Sequence, residues 1–244
     1  MKKILSFLFT LVVAAQMLVA QENAAPNYAE IRFAINNSKS ENHYPKLLSR
    51  YCENDSTLTL QQMRYLYYGY TLQEDFIPYQ STDLRLYDLR RTLIASAGNV
   101  HICNDAIISA QKVLDNNPFD IPAINTITIA YLQMGDTVAY NSWNNRQQGL
   151  LDVILSSGDG ETPETAFHVI NVEHEYEIIN RLGLTIESDS LCSEEIEYLK
   201  IKNTSQQLSE MDEEESDVEE EEKEETGYYF NFGACRKAYH TRYE

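Results

Sequence analysis

Apolar residues recur every three or four positions through the first two thirds of the chain. Tyr28, Ile31 and Ile35 form the first such stripe. This spacing places apolar side chains on one face of an α-helix, and that face must be buried against a neighbouring element. Six further stripes occur at residues 44–51, 63–70, 86–93, 102–114, 121–134 and 138–154. The sequence therefore predicts seven helices between Asn27 and Gly158, and the short linkers favour antiparallel neighbours.

Polar residues, glycine and proline mark where several of these helices begin and end. Thr59 with Gln62 three positions later is typical of a capping box, in which each side chain accepts a hydrogen bond from the other residue's backbone N–H. Asp136 is a good cap for the seventh helix, and Gly135 ends the sixth. The fifth helix must stop before Pro118, because proline disfavours the helical conformation in the residue before it.

Two stretches of this region resemble the tetratricopeptide repeat. "DAIISAQKVLDNNPFD" is similar to the second helix of one repeat, and "AINTITIAYLQMGDTVAY" to the first helix of the next. The small residues Ala106, Ala110 and Ala130 let two helices approach closely. However, the comparable tyrosines Tyr70 and Tyr131 are 61 positions apart, which is not a multiple of the repeat length of about 34 residues. We therefore expect a degenerate stack of helical hairpins, and an ordinary helical domain without repeat ancestry stays the alternative.

After Gly160 the pattern changes from helical spacing to short segments typical of strands. "AFHVINV" is rich in β-branched and aromatic residues, while "EIEYLKIKN" and "GYYFNFG" alternate apolar with polar positions. Between them, "HEYEIINRLG" returns to helical spacing through Tyr176, Ile179 and Leu182. The predicted fold class is α+β, mainly helical: a TPR-like helical domain at residues 21–158, then a mixed unit with a small β-sheet at residues 159–244.

A strongly acidic segment interrupts this second unit from Glu210 to Glu225. Its twelve acidic residues and its single Lys223 give it a net charge of −11. Such a segment repels itself and offers little apolar surface to bury, so residues 208–226 are predicted as a disordered insertion in the loop of a hairpin. The whole chain carries a net charge of −19. Because it would repel phosphates and anionic lipids, neither nucleic acid nor a membrane surface is an expected partner.

The N-terminus has the pattern of an export signal. Lys2 and Lys3 precede an apolar stretch of about 12 residues, and small residues around Ala20 resemble a cleavage site. The stretch is shorter than the roughly 20 residues that a membrane-spanning helix needs. We expect cleavage of residues 1–20, no membrane insertion afterwards, and a periplasmic or secreted protein. An oxidising compartment permits disulfides, whose pairing stays open among Cys52, Cys103, Cys192 and Cys235.

The candidate functional residues Asp159, His168 and His174 lie in one segment, "SGDGETPETAFHVINVEHEYEIINRLG". Asp159 between two glycines does not match an EF-hand loop, so we expect a tight turn that joins the two units. "HEYEI" supplies only the first half of the H-E-x-x-H zinc motif. A lone histidine is more often a packing residue than a metal ligand. We therefore assign no catalytic residue, metal or cofactor, and keep these three residues as candidates.

Four tyrosines, Tyr65, Tyr67, Tyr68 and Tyr70, lie close together on the third predicted helix. Exposed tyrosines bind peptides or sugars, since the ring offers contact area and the hydroxyl a hydrogen bond. Four positions so close together point to more than one face of a helix. We expect the group mainly to fill the core.

The chain from about Tyr44 to Gly233 resembles the domain-of-unknown-function family 4919, whose members are exported bacterial proteins. The likeness is strongest at residues Leu150–Leu184, with "SGDG", "TAFHVI" and "EYEIINRLG", and again in "YYFNFG" at Tyr228–Gly233. The resemblance implies export in Gram-negative bacteria and a helical domain with a small C-terminal sheet. It implies no reaction and no functional residue.

Three functions stay open at this point. The first hypothesis is a non-enzymatic module that binds a protein or peptide along a helical groove, because the paired helices occur without a catalytic signature. The second is a hydrolase-type enzyme with a site near His168 and His174. The third is a protein that binds cations weakly through the acidic segment Glu210–Glu225.

Overall fold

The computed structural model describes residues 23–202 and 226–243. The predicted signal peptide at residues 1–20 and residues 208–225 of the predicted insertion lie outside these ranges. Within the described ranges, no helix combines the length and the apolar character that crossing a membrane requires. The same ranges contain nine α-helices, one short 3-10 helix and one four-stranded sheet. The chain therefore has the predicted fold class, a mainly helical α+β fold.

The structure confirms the seven predicted helices, which we number in chain order. They are α1 Tyr28–Asn36, α2 Tyr44–Cys52, α3 Leu60–Tyr70, α4 Leu84–Ala95, α5 Val100–Leu114, α6 Ile121–Met134 and α7 Thr137–Leu155. Most of their predicted apolar positions are buried, as shown by Ile35 of α1, Leu66 of α3 and Leu114 of α5, whereas Val138 at the start of the seventh stripe is 80% exposed. The tyrosines of α3 fill the core as expected, since Tyr67, Tyr68 and Tyr70 are buried.

The predicted helix ends are also confirmed. Thr59 Oγ1 accepts a hydrogen bond from the Gln62 N–H at 3.2 Å, and Gln62 Oε1 accepts one from the Thr59 N–H at 3.1 Å, which completes the capping box of α3. The Asp136 carboxylate accepts from the Ala139 N–H at 3.0 Å and caps α7. Gly135 ends α6 with a φ of +73°, a left-handed conformation that favours glycine.

Helices α5, α6 and α7 pack against one another in chain order. Ala106 of α5 and Ala130 of α6 are fully buried in a cluster with Leu93 and Cys103. Because alanine has no side chain beyond Cβ, the helices can approach closely there. This packing supports the interpretation as helical hairpins, and tetratricopeptide ancestry stays a prediction.

The C-terminal part forms a sheet of four strands, β1 Phe167–His168, β2 Ile186–Leu191, β3 Ile196–Ile201 and β4 Gly227–Asn231. Their order in the sheet is β1–β4–β3–β2. The β1–β4 pair is parallel, whereas β3 pairs antiparallel with both β4 and β2. The predicted hairpin of the last two strands is confirmed, with Tyr198 opposite Tyr229. Two helices complete this part, α8 Glu173–Arg181 and α9 Gly233–Tyr243. Strand β2 and helix α9 were not predicted from the sequence.

The strand expected at residues 166–172 is shorter than predicted. Only Phe167–His168 forms a strand. The Ile170 N–H donates to the Tyr67 hydroxyl at 3.3 Å, so this backbone group is bound by a side chain of α3 and not by a neighbouring strand. The chain then turns into α8 at Glu173.

The buried face of α8 also differs from the prediction. Tyr176 and Leu182, expected to face the core, are each 40% exposed. Ile179 is buried as expected, together with His174 and Glu175. The apolar spacing was misleading because three polar residues, His174, Glu175 and Glu177, occupy the buried face.

One cluster of buried side chains extends through both predicted units. It includes Ile35 and Leu47 from the helices as well as Leu199 and Phe230 from the sheet. The predicted domain boundary between residues 158 and 159 stays a prediction, and it lies within this continuous core. The sheet and the helices thereby hold each other in fixed positions.

All four cysteines are free thiols in this structure. Cys103 and Cys235 are buried, whereas Cys52 and Cys192 are exposed. Burial raises the pKa of the Cys235 thiol to about 11. Because the thiolate is the reactive form, this cysteine is a packing residue and not a nucleophile.

Candidate binding pocket

The glycine-rich segment after α7 is a tight turn, as predicted. The exposed Asp159 carboxylate accepts a hydrogen bond from the Glu161 N–H at 2.9 Å. A hydrogen bond from the Thr165 side chain, with that of the Glu161 N–H, lowers the pKa of Asp159. A Cβ atom at Gly158 would overlap the carbonyl oxygen of Thr165, so only glycine fits there. Among the described residues, no three His, Cys, Asp or Glu side chains are grouped to hold a metal ion.

His174 is a packing residue sealed between the helices. The Tyr67 hydroxyl lies 2.7 Å from His174 Nδ1, and the two rings stack with centroids 5.8 Å apart. The ring also donates a hydrogen bond to the Phe119 backbone carbonyl. Burial lowers the pKa of His174 to about 3, so the ring is neutral at pH 7. Its hydrogen bonds are satisfied within the protein, and the side chain is only 1% exposed.

A pocket of about 670 Å³ opens between α1, the segment after α3, the ends of β1 and β4, and helix α9. Its apolar lining consists of Tyr28, Leu72, Phe76, Ala234 and Ala238. The Tyr28 ring packs edge-on against Tyr68 at 6.3 Å between centroids, and the Phe76 ring packs edge-on against Tyr70 at 5.2 Å. Because core residues hold both rings, the apolar surface of the pocket is preformed.

His168 and Asn231 bring polar groups to this pocket. They end the parallel strands β1 and β4, where they are direct partners, and both line the pocket. Burial, followed by the charge of Arg64, lowers the pKa of His168 to about 4. The neutral ring offers one donor and one acceptor, and neither ring nitrogen has a hydrogen-bond partner among the described residues.

Arg242 of α9 closes one side of the pocket. Its guanidinium donates hydrogen bonds to the backbone carbonyls of Glu74 and Phe76. These bonds join the end of α9 to the segment after α3, so two distant parts of the chain form one wall. The positive charge still lies on the lining of the pocket.

Arg32 of α1 and Lys237 of α9 also line the pocket, and both are exposed. Among the residues that the structure describes, neither charged group has a hydrogen-bond or ion-pair partner. The acidic residue of the lining is Glu195. Its carboxylate lies beside Gly233, the first residue of α9, where the helix dipole favours a negative charge. The pocket therefore combines a preformed apolar surface with two cations that no described acidic group pairs.

The structure does not bring the three candidate residues together. His168 lines the pocket, whereas His174 is sealed in the core and Asp159 caps a turn. Sequence analysis did not find Arg32 or Lys237, because each comes from a helix at the opposite end of the chain. A signal that could have pointed to α9 is the group of Arg236, Lys237 and Arg242 in an otherwise acidic protein.

A second group of titratable residues lies between α8 and the sheet. Glu175 of α8 is 0% exposed, and neither of its carboxyl oxygens has a hydrogen-bond partner among the described residues. Burial, with the negative charge of Glu197 on β3, raises the pKa of Glu175 to about 9. Glu175 is therefore a neutral carboxylic acid at pH 7, close to the Glu197 side chain. This pair is closed to solvent, since Glu197 is only 8% exposed.

Comparison with family models matches residues 29–241 to the domain of unknown function DUF4919. Comparison with curated proteins and with solved structures finds no match. The family match covers most of the chain, including all the elements that build the pocket apart from the first residue of α1 and the end of α9. The chain therefore belongs to the DUF4919 family, as the sequence resemblance indicated.

Proposed function

We propose that the protein is an exported, non-enzymatic interaction module that binds a peptide or a segment of a partner protein in the pocket between α1 and α9. The observation that carries this proposal is the combination of preformed aromatic surface and unpaired polar groups in one cavity of about 670 Å³. Binding sites of this size typically join an apolar lining to a few polar groups that fix orientation. The pocket replaces the helical groove of the sequence hypothesis as the place of binding.

The hydrolase alternative has less support from the geometry. An acid-base pair needs its members within hydrogen-bond reach of one another or of a shared substrate atom. His174 is closed to any substrate by Tyr67 and Phe119, and Asp159 does not line the pocket. His168 remains as a donor or acceptor for a ligand, which is a binding role. The cation-binding alternative concerns Glu210–Glu225, outside the described residues, and stays a prediction.

The binding proposal is tested by filling the pocket. Ala238 lines it from α9, and Ala238→Trp would occupy much of the cavity. The purified mature protein is applied to an array of short synthetic peptides of varied composition, and affinities of the positive peptides are measured in solution. We expect saturable binding to a subset of peptides, and a loss of that binding in Ala238→Trp.

Arg91→Trp provides a matched control for this experiment. It places the same ring on α4, where the side chain is 82% exposed and does not line the pocket. Thr241→Trp is a milder pocket variant on an exposed position of α9, in case Ala238→Trp unfolds. Peptide binding by the folded pocket variants equal to that of wild type would contradict the proposal, as would an array without any bound peptide.

We also propose export, on the basis of the pattern at residues 1–20. The proposal implies a mature protein that begins near Gln21 and lies in the periplasm or outside the cell. Expression of the full chain in a Gram-negative host, followed by fractionation and N-terminal sequencing, provides the test. An intact N-terminus on protein confined to the cytoplasm would show that the proposal is wrong.

A further inference from the structure

We propose that the ligand of this pocket is anionic, and that it is a peptide segment whose carboxylate is bound by Arg32 and Lys237. This inference rests on the proposed function, because it specifies the chemistry of the same site. Its carrying observation is the placement of two cations without described partners beside fixed aromatic rings. No single element creates this site, since Arg32 comes from α1 and Lys237 from α9.

The charge balance of the chain makes this arrangement unusual. The protein carries a formal net charge of −19, so an acidic partner is repelled by most of its surface. Several cations of the chain are paired with its abundant carboxylates: Arg50 with Asp55 at 2.7 Å, for example, and Arg91 with Asp88 at 3.5 Å. Others, such as Lys39 and Arg181, have no ion pair within the described residues. Arg32 and Lys237 differ from both groups because they line one pocket beside aromatic rings, where a negative charge of a ligand can pair with them.

The neighbouring acidic group does not remove this positive charge. Glu195 lies at the start of α9 and forms no ion pair with Arg32 or Lys237 within the described residues. Arg242 adds a third positive charge, although its N–H groups are already directed to backbone carbonyls. His168 is neutral at pH 7 and contributes a hydrogen bond but no charge. The pocket is therefore positive at neutral pH.

The apolar lining decides between a free anion and a peptide. A small anion such as acetate or phosphate uses only the cations, whereas Tyr28 and Phe76 offer ring surface to an apolar side chain. A segment that places a carboxylate next to an aromatic or aliphatic residue uses both. The carboxylate comes either from an Asp or Glu side chain or from the C-terminus of the peptide, and these sources share the same chemistry.

The test uses four matched sets of short peptides, each with one aromatic residue. The first set carries Glu and an amidated C-terminus, the second carries Gln in its place, the third carries Gln with a free C-terminus, and the fourth carries Lys. We expect wild type to bind the first or the third set, whichever source of carboxylate is recognised, and to bind the second and fourth at least about tenfold more weakly. Acetate and phosphate are expected not to compete at millimolar concentration.

Variants of the protein identify the recognising groups. Arg32→Gln and Lys237→Gln are each expected to weaken binding of the anionic peptide about tenfold. Both variants should leave the weak binding of the second set, which has no carboxylate, unchanged. Arg91→Gln removes the same charge from a position that does not line the pocket, and it is expected to leave the affinity within about twofold. Because Arg32 and Lys237 are exposed, both variants should fold.

The outcomes separate this inference from the proposed function. If the second set, which has no carboxylate, bound as tightly as the first and the third, and this binding were lost in Ala238→Trp, the pocket would remain a peptide site and the anionic inference would be overturned. Preference for the Lys set would overturn it as well. Binding of phosphate without binding of any peptide would contradict both the inference and the proposed function.

Discussion

Polar side chains are accessible in the pocket, whereas they are closed to solvent on the buried face of α8. In the pocket, Arg32, Lys237 and the His168 ring are open to a ligand and have no partner among the described residues. On the buried face of α8, His174 and Glu175 are closed to solvent; His174 is hydrogen-bonded to Tyr67, and Glu175 is a neutral acid close to Glu197. Accessibility therefore separates the groups that can serve a ligand from the groups that hold the fold, although all of them belong to the residue types expected of active sites.

The two histidines give the largest difference that a substitution can reveal. His174→Ala removes a buried ring and leaves the Tyr67 hydroxyl and the Phe119 carbonyl without their partner, so we expect a loss of about 3 kcal/mol in the free energy of unfolding. His168→Ala removes a ring with no hydrogen bond to the described residues and should lose less than about 1 kcal/mol. Urea unfolding of both variants measures the difference. Equal losses in the free energy of unfolding would contradict the assignment of a structural role to His174 and not to His168.

Substitution of Glu175 gives the next largest effect on stability, and here the variant is expected to be more stable than wild type. Its pKa of about 9 in the folded protein lies above the ordinary value of 4.5, so the unfolded chain releases this proton first as the pH rises. The contribution of Glu175 to stability is complete below pH 4.5 and is lost progressively as the pH rises towards 9. Glu175→Gln keeps a neutral polar side chain of nearly the same size and removes the ionisation. We expect the variant to be more stable than wild type by about 2 kcal/mol at pH 8.

Unfolding measured between pH 5 and pH 8 checks this prediction. Burial also raises the pKa of Asp120 to about 6 and that of Glu177 in the same direction, so wild type should lose stability for several reasons as the pH rises. The difference between wild type and Glu175→Gln isolates one group, because the other carboxyls are present in both. A difference that stays constant with pH would show that Glu175 is ionised in the folded protein.

Arg32 gives the smallest effect on stability. Since its guanidinium has no partner among the described residues, Arg32→Gln should change the free energy of unfolding by less than about 0.5 kcal/mol while it weakens peptide binding. Thermal unfolding of wild type, Arg32→Gln and the control Arg91→Gln is the relevant measurement. Destabilisation by Arg32→Gln well beyond that of the control would assign the Arg32 side chain a structural role. Arg32 would then no longer belong to the groups that serve only a ligand.

The helical part of the fold was predictable because buried apolar residues recur every three or four positions along each helix. The stripes of α1–α7 and the caps at Thr59 and Asp136 are local features, and each is visible within a few positions of the sequence. Strand β2 was missed because Ile186–Leu191 buries almost none of its side chains and so lacks the alternation of a half-buried strand. Helix α9 was missed because Cys235 is its one fully buried residue among those described.

The candidate pocket was less predictable for a different reason. His168 was identified because histidine is a conspicuous residue type, but the same reasoning selected His174, which has a structural role. The distinction depends on tertiary contacts with Tyr67 and Phe119 that no local pattern encodes. Arg32 and Lys237 are ordinary surface cations in the sequence, and only the tertiary structure brings α1 and α9 to the same pocket.

An amide NMR titration of the mature protein with the tightest peptide from the array tests the central claim most directly. The pocket account predicts that the signals of α1, of the segment after Tyr70 and of α9 shift and saturate together, while those of the exposed surface between α4 and α5 stay in place. The same titration of Lys237→Gln should require about tenfold more of an anionic peptide. Saturating shifts centred on α4 and α5, with α9 unchanged, would contradict the account.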